Sequence, residues 1–182
     1  MGTQPKAKPM QESALFPDHT SARPLPLGTV ARGEADLDTQ LDLGLIDNKP
    51  STNFPDHYPT ASDGPFPTRG RQLRRVLDRG REQFTIYCSM CHGDSGDGHG
   101  IIVQRGMVPP PDYLLDRLRQ SPPGHFVDVI NNGYGAMFGY GDRVPPADRW
   151  AIAAYIRVIQ MARATDAKTL DPELSNRLEG MR

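Results

Sequence analysis

YCSMCHGDSGDGHG, residues 87–100, holds the only two cysteines of the chain, Cys88 and Cys91, three apart and followed at once by His92. Three chemistries use cysteines at this spacing. Structural zinc needs four ligands, usually from a second Cys/His pair; no third cysteine exists, and His99 and His125 have no partner at ligand spacing. A thioredoxin-like dithiol needs a strand leading into the motif, whereas the residues before it read as a helix. The third chemistry uses every residue present. With Cys88 and Cys91 about one helical turn apart, both sulfurs can form thioethers to one edge of a haem, and His92 then supplies an axial nitrogen to its iron.

Reading upstream, Leu73, Leu77, Gly80 and Phe84 fall at helical spacing, and Cys88 continues the same face. Gly80 leaves room on that face for another helix to come close. Downstream, a loop with Gly93, Gly96, Gly98 and Gly100 leads to Pro109-Pro110-Pro111, which must interrupt any helix. Short helices are predicted over about 112–120 and about 124–132, the second ended by Asn132-Gly133. Pro145-Pro146 opens the last helix, with Asp148 in its first turn, where a carboxylate suits the helix dipole. Ile152, Tyr155, Ile156 and Ile159 form its apolar stripe. No strand signal of useful length is present. The predicted class is therefore all-α, a small helical fold around one covalent haem.

A ligating histidine needs its second ring nitrogen held, usually by a carbonyl, and the proline run offers rigid ones; Pro110 is the expected partner of His92. An electron carrier also needs its other axial position closed, whereas an oxygen- or peroxide-activating centre leaves it open. Met90 lies between the cysteines, too near to cross the haem, and Met161 sits at the edge of the last helical stripe. Met107 is the second candidate. Met137 is the expected ligand, because Gly133, Gly135, Gly139 and Gly141 around it let backbone approach the haem face. A thioether favours ferrous iron, so His/Met ligation raises the potential and suits electron transfer. His19, His57, His99 and His125 are expected to be exposed loop residues.

The 182 residues divide unevenly. Ten of the 18 prolines precede residue 71, in a stretch without Trp and with little apolar periodicity, so residues 1–70 are predicted to be an extended Pro-rich arm. Turns are expected at Asn48-Lys49-Pro50 and Asp63-Gly64-Pro65. The apolar piece from Leu37 to Ile46 is expected to dock on a neighbour or on the arm's own domain. Residues 71–165 are the predicted haem domain, and 166–182 a polar tail. Before residue 71 six Lys/Arg stand against nine Asp/Glu, and from residue 71 on fifteen stand against thirteen; neither part is basic enough to suggest nucleic acid. No run of 18 apolar residues spans a membrane.

Gly80-x-x-x-Phe84-x-x-x-Cys88-Ser-Met-Cys91-His92-Gly93, the proline loop, VINNGYGAM and PPADRWAIAAYIR resemble a class I monohaem cytochrome c. In that family the helix before the haem motif crosses the last helix at a glycine and aromatic contact, which the resemblance places at Gly80 and Phe84 against Trp150 and Tyr155. IVQRGMVPPP, GHFVDVINNGYGAM, SARPLPLGTVARG and FPTRGRQLRRVLDRGRE are further similar to the monohaem cytochrome c subunit of alternative complex III, a bacterial membrane quinol oxidoreductase. This implies an electron-transfer subunit with no catalytic site of its own, docked by its arm among other subunits between donor and acceptor cytochromes or an oxidase. The alternatives are a freely diffusing periplasmic carrier and a haem sensor or peroxidase with an open iron face. Phe138 departs from the family, where Pro follows the ligand Met. Met1 to Lys8 also lacks the apolar core of an export signal. Because haem is attached outside the cytoplasmic membrane in this family, the resemblance implies a processed or mis-assigned start, and a peripheral or lipid-anchored protein on the periplasmic face.

Overall fold

A computed structural model describes residues 4, 6, 8, 11–23, 26–30, 38–58, 65–166, 169–173 and 176. Most of the Asp63-Gly64-Pro65 turn, Leu37, and much of the polar tail lie outside the described residues. The chain forms two compact units, Met1–Leu37 and Asp38–Arg182. In the first, residues 12 and 20 pair in an antiparallel bridge. The Arg23 guanidinium grips Asp18 at 2.7 Å and lies 4.0 Å from the centre of the Phe16 ring.

The second unit begins well before the predicted boundary at residue 71. Asp38 caps the short helix α1 (Thr39–Leu43), its carboxylate accepting from the Gln40 and Leu41 amides, and Gly44 ends it in the left-handed region at φ 76°. A hairpin follows, β1 (Leu45–Ile46) against β2 (Lys49–Pro50). Its turn is Asp47-Asn48, both at positive φ, as a two-residue hairpin turn requires. Ser51 then donates its amide to Gly44 and accepts from the Gly124 amide. Phe54 stacks on Phe66 with centroids 4.3 Å apart and tilts against Trp150, while the Tyr58 hydroxyl donates to the Ala147 carbonyl at 2.9 Å. Residues 38–58 and 65–67 are therefore a strap of the domain itself. Composition hid this, because three aromatics spaced along a proline-rich stretch, Phe54, Tyr58 and Phe66, show no periodicity.

Helix α2 (Gly70–Tyr87) runs through Cys88 into α3 (Ser89–His92). After the glycine loop come α4 (Ile101–Gln104), α5 (Asp116–Gln120) and α6 (Pro123–Asn132), then the hairpin β3 (Gly133–Tyr134) with β4 (Met137–Phe138), and finally α7 (Pro146–Ala164). The all-α class holds, since the two hairpins have only two residues per strand. The principal packing is α2 across α7. A Cβ at Gly80 would run into the Ala151 carbonyl oxygen and lie 3.1 Å from Tyr155 Cβ, while Phe84 meets Tyr155 edge-on. A two-toothed ion pair locks the crossing: Arg79 Nε and Nη2 each donate at 2.8 Å to Asp148 in the first turn of α7.

The far end of α7 holds the proline loop. Gln160 donates to the Tyr113 carbonyl at 2.9 Å, and Arg163 grips Asp112 at 2.6 and 2.9 Å. The guanidinium of Arg163, more than the Leu114 amide, holds the Asp112 carboxyl below its usual range. This pair thus stabilises fully above the ordinary carboxylate pKa and ceases to do so as pH falls through the lowered folded value. Because the pair is partly exposed, Asp112→Asn is expected to cost about 1 kcal/mol or less at neutral pH. Urea unfolding of both proteins should show the gap closing in strong acid; an equal gap at both pH values would assign it to something other than charge.

Candidate haem site

The helical run from α2 places Cys88, Cys91 and His92 on one wall of a cleft of about 200 Å³. Cys88 donates its amide to Phe84, and His92 to Cys88 at 2.9 Å, so both cysteines and the histidine inherit the direction of α2. The glycine loop then folds back over the motif. Gly98 donates to the His92 carbonyl at 2.8 Å and Gly100 to that of Cys91 at 3.1 Å, while the Tyr113 amide donates to Gly96. Gly96 and Gly98 both have positive φ, and a Cβ on either would collide, with the Tyr113 ring and the Pro110 carbonyl respectively. The loop thus ties the cysteine motif to the proline run.

Met137 lines the same cleft, together with Ile130 of α6, Val144, and Ile152 and Ile156 of α7. It is carried on the β3–β4 hairpin, with Gly133 opposite Phe138 and Tyr134 opposite Met137, where the sequence suggested an irregular loop. Gly133 (φ 82°) and Gly135 (φ 58°) make that turn possible. The other sulfur candidates, Met90, Met107 and Met161, do not line the cleft and are largely exposed.

Shielding from water gives the two kinds of donor opposite characters. Burial, and secondarily Cys91, push the Cys88 thiol up to about 12, the reverse of the activation a redox dithiol needs. Burial also pushes His92 down to about 4, leaving a neutral imidazole, the form that ligates metal. His92 Nδ1 is buried without a hydrogen-bond partner, an arrangement that asks for an explanation. Pro110 lines the cleft, but no hydrogen bond joins its carbonyl to His92 among the described residues. Its placed role is to sit under Gly98. Among the described residues no three His, Cys, Asp or Glu side chains converge on a bare metal ion. An apolar cleft with two thiols at one wall, an unpartnered neutral imidazole beside them and a thioether in the lining fits a covalently held haem.

Some placements differ from the sequence reading. Trp150 and Tyr155 were both expected at the α2–α7 crossing; Tyr155 stands there against Gly80 and Phe84, whereas Trp150 is fully buried with its indole N–H donated to the Leu41 carbonyl at 2.8 Å, so it faces the strap, and neither lines the cleft. Ile152 and Ile156, on another side of α7, form the wall instead. His125 is no loop residue: it stands on α6, half-buried, and lines the cleft, while His99 is exposed beside Asp97. Tyr113, not singled out from sequence, stacks on His92 with centroids 5.0 Å apart and 11° between planes. Its position two residues beyond the proline run was the only signal available.

Residues 75–156 match the family described as cytochrome c oxidase, cbb3-type, subunit III. No match was found among curated proteins. The matched residues include Cys88, Cys91, His92, Met137 and parts of both helices of the main crossing. They form a cytochrome c domain, whose cofactor is covalently bound haem c with iron, in agreement with the fold and cofactor read from the motif.

Proposed function

We propose that this protein relays single electrons, as a monohaem subunit of a membrane quinol:acceptor oxidoreductase of the alternative complex III type. The observation that carries the relay is that His92 and Met137 line one apolar cleft beside the cysteine pair. Cys88 and Cys91 would hold the haem edge, and His92 and Met137 would be the axial donors. The bound group supplies a one-electron iron couple, whose potential thioether ligation raises. Ile130, Val144, Ile152 and Ile156 exclude water from it, and stacking on Tyr113 fixes the plane of the His92 ring.

The fixed place in a complex is supported by the similarity of residues 21–33 and 66–82 to that subunit, and by the match to a family described as an oxidase subunit. It implies a periplasmic location at the membrane and partner subunits on the donor and acceptor sides. Among the described residues no helix is long and apolar enough to cross a membrane. One observation favours the second reading, a diffusing periplasmic carrier: Leu41, Phe54, Tyr58 and Phe66 pack into the domain's own core, which leaves a shorter segment for docking.

Purification of the tagged protein from native membranes decides between them. Co-purifying integral subunits, with a reductive titration of one electron per chain, are the expected result. A lone soluble monomer with the same titration would leave the carrier, and a titration without a reversible one-electron couple would remove both.

A further inference from the structure

Arg149 is buried in the first turns of α7, next to the pair that Asp148 makes with Arg79, and directs its guanidinium to backbone. Its donors fan out to three backbone carbonyls on two separate segments. Nη1 donates to Asp42 in the last turn of α1 at 2.6 Å, Nη2 to Gly141 at 2.7 Å, and Nε to Val144 at 2.8 Å. Asp42 also attracts the guanidinium through its charge, against the loss of hydration.

Gly141 and Val144 end the segment that begins with Met137. Its other fastenings are the β3–β4 pair, the Tyr140 amide on Ile130 at 2.7 Å, the Gly141 amide on Asn131 at 3.3 Å, the Tyr140 ring edge-on to Tyr87 and the buried Val144 side chain. On the strap side, Arg149 satisfies one of the orphan carbonyls at the end of α1, beside the Leu41 carbonyl taken by Trp150. A buried cation is a poor source of net stability but a directional one, because removing any of the three carbonyls strands an N–H group. An apolar residue of the same size would fill the space without fixing where residues 141–144 stand relative to α1 and α7.

We infer that Arg149 is a positioning residue for the axial methionine: its fork sets the segment after Met137 against α7 and couples it to the strap at α1. This rests on the reading of Met137 as a ligand. Displacement of the strap would then reach the axial site through Arg149, so a partner that moved residues 38–44 would alter how firmly Met137 is held.

The test uses the full-length holoprotein. In the oxidised form the weak long-red charge-transfer band reports thioether ligation, and in the reduced form carbon monoxide binding reports how readily the axial position opens. Arg149→Met is expected to lose most of the band and to bind carbon monoxide roughly tenfold more readily than the parent. Arg149→Lys, which keeps the charge but not the fork, should fall between them, and it decides the matter if the Met variant does not fold. Asp148→Asn, which breaks the adjacent helix clamp, should lower the thermal midpoint while keeping the band. Full band and unchanged carbon monoxide binding in the Arg149 variants would overturn the inference, as would an equal loss of the band in Asp148→Asn. A parent protein without the band, or Met137→Ala that keeps it, would remove the ligand reading and this inference with it.

Discussion

Gly80→Val is expected to yield no folded holoprotein, and Gly80→Ala to lower stability by about 3 kcal/mol or more, at the upper end of overpacking costs. The geometry at the crossing leaves no softer outcome. A Cβ there meets the Ala151 carbonyl oxygen and comes within 2.6 Å of its carbon, and both belong to helix backbone, which cannot step aside as a long side chain can. The helices must separate, and the layer they enclose, Phe84 against Tyr155 and the Arg79 clamp on Asp148, opens with them. Domains of this size have a total stability of roughly 5–15 kcal/mol, so a β-branched residue exceeds what the fold can absorb. The damage reaches the cleft because α2 carries Cys88 at its end while α7 carries Ile152 and Ile156 in the opposing wall of the core. Circular dichroism and the yield of covalently bound haem would both fall. A Gly80→Ala protein with the parent's thermal midpoint would show that the helices are not in backbone contact.

A second close approach explains why the domain begins at Asp38. At Gly124, a Cβ would run into the Gly44 carbonyl and the Ser51 amide, and at Gly44 one would lie 2.7 Å from the Gly124 carbonyl. The strap therefore touches α6 backbone to backbone, with Gly124 donating to Ser51 at 3.0 Å. The α2–α7 crossing fixes the cysteine wall, and the α6–strap contact fixes the base of the Met137 hairpin, since α6 runs directly into β3 at Gly133. Both walls of the cleft are thus held by contacts that need glycine.

Much of this was legible in the sequence because it is local or periodic. The Cys88, Cys91 and His92 spacing, the helical face from Leu73 to Phe84 and the α7 stripe each occupy one continuous stretch. Gly80 drew notice because it breaks an otherwise large-residue face. Of the strap only the apolar piece from Leu37 to Ile46 drew notice, as one that docks on a neighbour or on the arm's own domain; its partners were not legible, since Tyr58 and Ala147 are 89 positions apart and Trp150 and Leu41 are 109 apart. Such pairings involve backbone acceptors, which every residue carries, so no pattern of side chains marks them. Arg149 was hidden in the same way, among three carbonyls. His125 was misplaced for a different reason, since a polar residue at the edge of an apolar helix reads as exposed until the cleft beside it is known.

Met137→Ala carries the largest functional effect. The side chain is partly buried in the cleft and is held from both sides in sequence, by the Tyr134 pairing within the hairpin and by Tyr140 and Gly141 returning to α6. Truncation leaves those fastenings intact, so the domain should remain folded with its covalent haem. What is lost is the soft donor that favours the ferrous form. A hundredfold loss of that preference lowers a one-electron potential by about 120 mV. The variant should therefore show a potential lower by this order, no long-red charge-transfer band, and ready binding of carbon monoxide where the parent resists it. Met107→Ala supplies the contrast: Met107 is 39% exposed and outside the cleft, so its removal should leave potential, band and ligand resistance at parental values. If Met107→Ala lost the band and Met137→Ala kept it, the axial assignment would pass to Met107. If both variants resisted carbon monoxide with unchanged potential, the axial donor would be a nitrogen, and His125, the other donor lining the cleft, would be the residue to substitute next.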